Sequence, residues 1–160
     1  CIRFVQQWAD SGINAKLTGF AGLTDATTVE AQGKAALGVM TSTVYSDMLD
    51  TPKNKAFVAA YREKTKQYPN LFSDYGYVSM QVIDETLKAT DGDASDKDKL
   101  AEAMAKVNFT APRGPFRFDP VTHNPIQNVY IVEEQQAGDR IVSTPIGTLK
   151  DVQAPATKEG

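Results

Sequence analysis

The first 45 residues alternate between two hydrophobic periods, and that alternation limits the fold more than any other feature. In IRFVQQWADSG, Phe4, Val5 and Trp8 sit at helical spacing and Gly12 stops the pattern. AKLTGFA, residues 15–21, reads as a short strand whose largest apolar side chains are Leu17 and Phe20. Gly22, Leu23, Thr24 and Asp25 form a turn. Thr27 or Thr28 then caps a helix through Ala35, with Glu30 placed for a reciprocal capping contact. GVMTSTVY, residues 38–45, is rich in β-branched side chains and reads as a second strand. Helix, strand, helix and strand in that order argue for an α/β fold, a parallel sheet flanked by helices. Ligands of such sheets sit beyond the carboxyl ends of the strands. Here those ends are residues 20–25 and 44–47.

SDMLDTP follows as a boundary, and Pro52 suits a first helical position. The helix predicted over residues 53–67 turns Phe57, Val58 and Tyr61 inward, and Tyr68, Pro69 and Asn70 break it. The strongest amphipathic pattern is FSDYGYVSMQVIDETL, residues 72–87. Ser73 or Asp74 is expected to cap it. Tyr77, Met80, Ile83 and Leu87 form the expected buried stripe, with Gln81, Asp84, Glu85 and Lys88 facing elsewhere. Phe72, Tyr75 and Tyr77 crowd its start. A lone tyrosine there reads as core packing with its hydroxyl at the rim. Several tyrosines at a helix N-terminus, where free N–H groups favour an anion, suit one wall of a small-molecule cleft.

DGDASDKDK lacks the spacing, central glycine and terminal glutamate of a calcium loop, so it reads as a solvated turn capping the next helix. Leu100, Met104 and Val107 give that helix its apolar face. In residues 111–134, four prolines and two strand-like pieces predict a C-terminal β-hairpin region of residues 116–119 and 128–134 around the turn DPVTHNP. Phe116 and Phe118 share one face, as do Val129 and Ile131. Gly138 and Asp139 turn the chain into a third strand, residues 140–149, and the tail from Gln153 reads as irregular.

A net charge of -3 gives no basic face for nucleic acid. One cysteine and one histidine leave no disulfide framework and little for a metal site. Catalysis finds equally little support. His123 lies in a turn, and no glycine-rich phosphate loop or GxSxG elbow occurs. Asp84 and Glu85 point in different directions on one helix, and nothing around Asp25 or Asp47 marks an acid–base pair. The chain reads as a non-enzyme. It starts inside a helix at Cys1, without a leading methionine, which reads as a piece of a longer precursor carrying a signal peptide. A lipid-anchor role for Cys1 suits a polar tether better than the amphipathic turn that follows.

GFAGLTDATTVEAQGKAALGVMTSTVYSDMLDTPKNKAFVAAYREK resembles the second half of bacterial periplasmic solute-binding proteins of the branched-chain amino acid type. DYGYVSMQVIDETLKAT and APRGPFRFDPVTHNPIQNVYI are similar to the segments that follow in that family, in the same order. The resemblance implies part of a two-lobed type I periplasmic-binding fold that closes on a small ligand, without a cofactor, and hands it to an ABC permease of the inner membrane. It also implies a periplasmic location. Residues 1–45 would end one lobe, 46–52 cross over, 53–140 build the helices and hairpin of the other lobe, and 141–160 supply the final strand and tail. A ligand-sensing receptor on the same scaffold is the alternative.

Carried over by position, Ala21 and Gly22 match the loop where amino acid binders place an acidic residue against the ligand's ammonium. An alanine there argues against an ordinary α-amino acid, since a buried ammonium needs a carboxylate; Asp25 is the candidate substitute. Tyr77 matches the cleft tyrosine, with Tyr75 as its alternative. GLTD, YSDMLDTP and PRGPF look most like the aromatic-carboxylate branch of the family. In that reading Tyr45 and Tyr77 stack on a ring; otherwise Tyr45 is a packed hinge residue. The expected ligand is therefore an aromatic carboxylate or a branched-chain amino acid. Sheet edges and apolar helix faces lacking their partners imply that the chain is accompanied by the rest of its protein or self-associates.

Overall fold

The structure is a computed structural model and describes residues 1–155. Of the expected irregular tail, residues 156–160 lie outside the described residues. The first helix, α1 (Ile2–Asp10), buries Val5 completely. Strand β1 (Thr18–Phe20) leads through a tight turn at Ala21–Leu23 to the short helix α2 (Val29–Gln32), and strand β2 (Met40–Thr43) pairs with β1 in parallel. The expected capping contact by Glu30 is replaced by an aspartate turn. Asp25 Oδ1 accepts from the Thr27 N–H at 2.7 Å and from the Thr27 hydroxyl.

Helix α3 (Pro52–Thr65) starts as expected, with Pro52 in its first turn and Thr51 accepting from the Asn54 N–H. Helix α4 (Leu71–Ala89) corrects two expectations. Its cap is Asn70, which accepts from the Ser73 N–H, and not Ser73 or Asp74. Its buried stripe is Asp74, Val78, Val82 and Thr86, whereas Tyr77, Met80 and Ile83 are exposed. The two stripes differ by about one residue in phase. The inward one carries an aspartate and a threonine, so the apolar pattern alone selects the wrong face.

Helix α5 (Lys97–Ala105) is capped by Asp96, as the polar turn requires, but Met104 remains exposed. Strand β3 (Asn108–Ala111), which the sequence pattern misses, pairs antiparallel with β4 (Gly114–Phe118). The turn between β4 and β5 (Pro125–Ala137) is closed by Asp119, which accepts from the Val121 and Thr122 N–H groups, and His123 sits in it at φ 56°. Strand β6 (Arg140–Val152) completes the sheet. Among the described residues only β1 and β2 are parallel; the expected hairpin and third strand form an antiparallel meander with β3 added at its edge.

Strand β5 organises everything else. Val132 pairs with Thr41 of β2 on one edge and Pro145 of β6 on the other, and Gln127 pairs with Phe116 of β4 and Val152 of β6. Since a strand has only two edges, β2 and β4 share the edge opposite β6. Residues alternate across a strand: Ile126, Tyr130, Val132 and Glu134 are buried, while Val129 and Ile131 are half-buried. Val129 and Ile131 share one face, as expected, and it is the less buried of the two.

Three apolar clusters lie along this sheet. Val5, Leu23, Val29, Ala36 and Val39 form one; Tyr45, Leu49, Phe57, Tyr130 and Val132 the next; Val78, Val82, Val107, Ala111 and Phe116 the third. The middle cluster is tied to the β2–α3 connection by Asn54, which is fully buried. Its amide nitrogen donates to the Ser46, Asp47 and Leu49 carbonyls at 3.3, 3.1 and 2.9 Å. Replacing Asn54 with alanine strands those acceptors, so urea denaturation of Asn54→Ala is expected to show a loss of about 2 kcal/mol or more. A loss under about 0.5 kcal/mol would mean that the connection is held by other contacts.

Candidate functional site

The ends of β1 and β2 open into a cavity of about 80 Å³. One wall is the turn that contains Ala21, Thr24 and Asp25, and a second runs from Thr43 through Asp47. The link from α3 to α4, residues 68–72, closes the third side, and Val132, Glu134 and residues 140–143 form the floor. This is the crevice that a parallel pair leaves beyond its carboxyl ends. It has room for several ordered waters.

Of the residues expected to bind ligand, Ala21, Asp25 and Tyr45 meet here, while Gly22 and Tyr77 lie outside the lining. A Cβ at Gly22 would come within 2.6 Å of the Phe20 ring, so this glycine serves the tight turn. Tyr77 sits one ring away from the cavity. Its ring centroid is 4.7 Å from that of Phe57, whose own centroid is 6.1 Å from that of Tyr45.

Sequence reasoning missed most of the lining, including the charged Glu134 and Arg140, and named Asp47 only as part of a strand end. Asp47 Oδ2 lies 2.8 Å from Arg140 Nη2, and the Arg140 guanidinium stacks 3.3 Å over the Tyr68 ring centroid. Ser46 donates to the Ser143 carbonyl at 2.6 Å, fixing the end of β2 to β6. Glu134 is the most buried acid of the cavity lining, only 2% exposed. Its Oε1 accepts from the hydroxyls of Thr24 at 2.9 Å and Ser143 at 2.7 Å; its Oε2 has no partner among the described residues. Burial raises the Glu134 carboxyl above the usual range, the two hydroxyls oppose that shift, and the Asp47 charge adds to it. The signal for Glu134 was present: it shares the strand face of Tyr130 and Val132, where an acid is out of place.

Tyr45 is equally buried, and its hydroxyl has no partner among the described residues. Burial pushes its phenol up, and the negative charges of Asp74 and Asp47 push it further. Asp74 belongs to a buried ion pair. Its Oδ2 is 2.5 Å from Arg113 Nη2, both side chains are almost wholly buried, and Arg113 Nη1 donates to Gln127. The Arg113 carbonyl in turn accepts from the Tyr130 hydroxyl at 2.7 Å. No group of three or more His, Cys, Asp or Glu side chains gathers to hold a metal among the described residues.

The sequence profile described as "Periplasmic binding protein" matches residues 1–139. The chain belongs to the periplasmic binding protein family. Leu/Ile/Val-binding protein homolog 6 of Brucella abortus is 33% identical over 141 residues, which are 85% of this chain and 36% of the relative. An ABC transporter substrate-binding protein from Sphaerobacter thermophilus superposes with a TM-score of 0.90 at 31% identity, over 94% of this chain and 42% of that one. A solute binding protein of an ABC transporter from Rhodopseudomonas palustris BisB5, in complex with 3,4-dihydroxy benzoic acid, superposes with a TM-score of 0.86 at 32% identity, covering 96% of this chain and 43% of that one. The chain therefore spans 36–43% of the length of these relatives. All three carry the names of binding proteins, not of enzymes.

Burial holds Asp74 up at about 6 against an ordinary 3.8, although the Arg113 guanidinium pulls it down. A carboxyl raised in the folded state contributes stability that is complete below the unfolded value and lost as pH rises through the folded one. The stability of the wild type minus that of Asp74→Asn is thus expected to fall by about 1–3 kcal/mol as pH rises from about 4 to 7. Denaturation curves across that range check it, and a difference that stays flat or rises would contradict it.

Proposed function

We propose that this chain is part of the solute-binding component of an ABC importer, and that its ligand is a small carboxylate, preferentially an aromatic one, bound between two lobes. The observation that carries the reading is the cavity where the ends of β1 and β2 meet the α3–α4 link, in a chain of the periplasmic binding protein family. Residues 1–45 then end one lobe, residues 46–52 cross over, and residues 53–140 build most of the other, with the final strand and tail in residues 141–160. Ala21 and Asp25 line the site from the first lobe, and Tyr45 stands at the crossover. Gly22 shapes the turn, and Tyr77 supports the Tyr45 wall through Phe57 or meets the ligand once the lobes close.

Three features favour an aromatic acid. Alanine occupies the loop position where an acid would neutralise an ammonium. The cavity walls include Tyr45, Val132 and Val142, the flat apolar surfaces that a ring needs. The R. palustris relative, at 32% identity, holds a dihydroxybenzoate. A branched-chain amino acid is the second reading, favoured by the name of the Brucella relative. Both place the protein in the periplasm with an inner-membrane permease as partner, and neither calls for catalysis. Self-association is the further proposal for the chain on its own, since Phe20, Phe72, Met80 and Ile83 are exposed.

A thermal-shift screen of the full-length protein tests the reading, because a ligand that binds only the folded state raises Tm by mass action. Benzoate-like acids are expected to raise it by several degrees (about 2.7 kcal/mol of added stability at a hundredfold excess over Kd) while leucine and valine do not. A shift with leucine or valine alone would overturn the aromatic assignment.

A further inference from the structure

Among the described residues, the cavity beyond β1 and β2 is lined by three acids, Asp25, Asp47 and Glu134, and by one base, Arg140. A carboxylate brought into such a lining meets repulsion unless it sits beside the base, and a partly desolvated site strengthens that preference. Arg140 is also free to receive one. Its Nη2 donates to Asp47 Oδ2 at 2.8 Å, whereas its Nε and Nη1 have no hydrogen-bond partner among the described residues. Neither of those two atoms is sealed from solvent, and the side chain is 32% exposed.

The guanidinium lies between the Asp47 carboxylate and the Tyr68 ring, 3.3 Å from the ring centroid, and both neighbours line the cavity. Stacking covers one face of the guanidinium and leaves its in-plane donors open. A guanidinium presents two forks of paired N–H groups, each matched to a carboxylate. Asp47 takes a single nitrogen, Nη2, so one fork remains whole. Arg62 lies 4.2 Å from the same ring centroid and adds a second positive charge to this corner. Two guanidiniums thus share the Tyr68 ring, with Asp47 as the carboxylate paired to one of them.

We infer that Arg140, stacked on Tyr68 and steadied by Asp47, anchors the ligand's carboxylate through its unoccupied N–H fork. The inference rests on the small-carboxylate reading and names the residue that receives the charge. It holds whether that carboxylate is borne by an aromatic ring or by an amino acid. Tyr68 and Asp47 are positioning residues in this arrangement, since they set the plane and the tilt of the guanidinium.

Calorimetry on the full-length protein tests this with benzoate and its neutral amide, benzamide, and in parallel with leucine and leucinamide. Asp47→Asn serves as the background, because there Arg140→Gln removes the guanidinium without stranding a carboxylate. Asp47→Asn is expected to bind benzoate at least about tenfold more tightly than benzamide, and adding Arg140→Gln is expected to cut that ratio at least about tenfold, the value of a hydrogen bond to a charged group. Arg140→Lys, which keeps a cation for Asp47 but neither the fork nor the stack, is expected to cut the wild-type ratio about threefold.

A ratio unchanged by both substitutions would overturn the inference: Arg140 would serve Asp47 alone, and the aromatic reading would stand. Should leucine bind and benzoate not, the aromatic assignment falls by itself. The leucine-to-leucinamide ratio then supports the inference if Arg140→Gln cuts it at least about tenfold, and overturns it if the ratio holds. Binding of no probe would defeat the small-carboxylate reading and the inference together.

Discussion

The antiparallel pairing of β5 is the interaction on which the rest of the structure depends. One strand of 13 residues serves β4 along its first part, β2 along its second and β6 along nearly its whole length. Its inward face contributes Ile126, Tyr130, Val132 and Glu134 in sequence, and these thread from the neighbourhood of β4 to the cavity below β1 and β2. A slip of one residue would turn all four outward and bring Val129 and Ile131 in. The Tyr130 hydroxyl on the Arg113 carbonyl and Glu134 between Thr24 and Ser143 each add a polar contact specific to the observed register.

Two ion pairs, one buried and one partly exposed, stand at joints of the fold. Asp74 and Arg113 join the start of α4 to the β3–β4 turn, and Asp47 and Arg140 join the end of β2 to the start of β6. Removing both members of such a pair is often tolerated, whereas removing one strands the other in a low-dielectric site. The pairs therefore fix geometry more than they add stability. Glu134 differs in having no cationic partner, and Tyr45 in having no partner at its hydroxyl.

The order of helices and strands was legible because it rests on local chemistry: Pro52 at a helix start, β-branched residues in β2, and Asp96 capping α5. The carboxyl-end rule for parallel strands pointed to residues 20–25 and 44–47, and a cavity lined by Ala21, Asp25 and Tyr45 lies there. What escaped was decided by tertiary pairing. The phase of α4 was misread because Asp74, a charged residue, is buried by an arginine 39 positions away in sequence. Strand β3 escaped because four residues carry too little pattern until β4 lies beside them. Glu134 escaped because choosing between the two faces of β5 required knowing which neighbours it pairs with.

The central claim is that the binding site lies beyond the ends of β1 and β2, against the α3–α4 link. Hydrogen–deuterium exchange of the full-length protein, with and without a bound aromatic acid, tests it most directly. Slowed exchange concentrated in residues 21–25, 43–47, 68–72 and 140–143 is the result this account requires. Protection confined to the polar groove between α4 and α5, where Glu85, Asp91, Lys99 and Lys106 lie, would place the ligand elsewhere and contradict it.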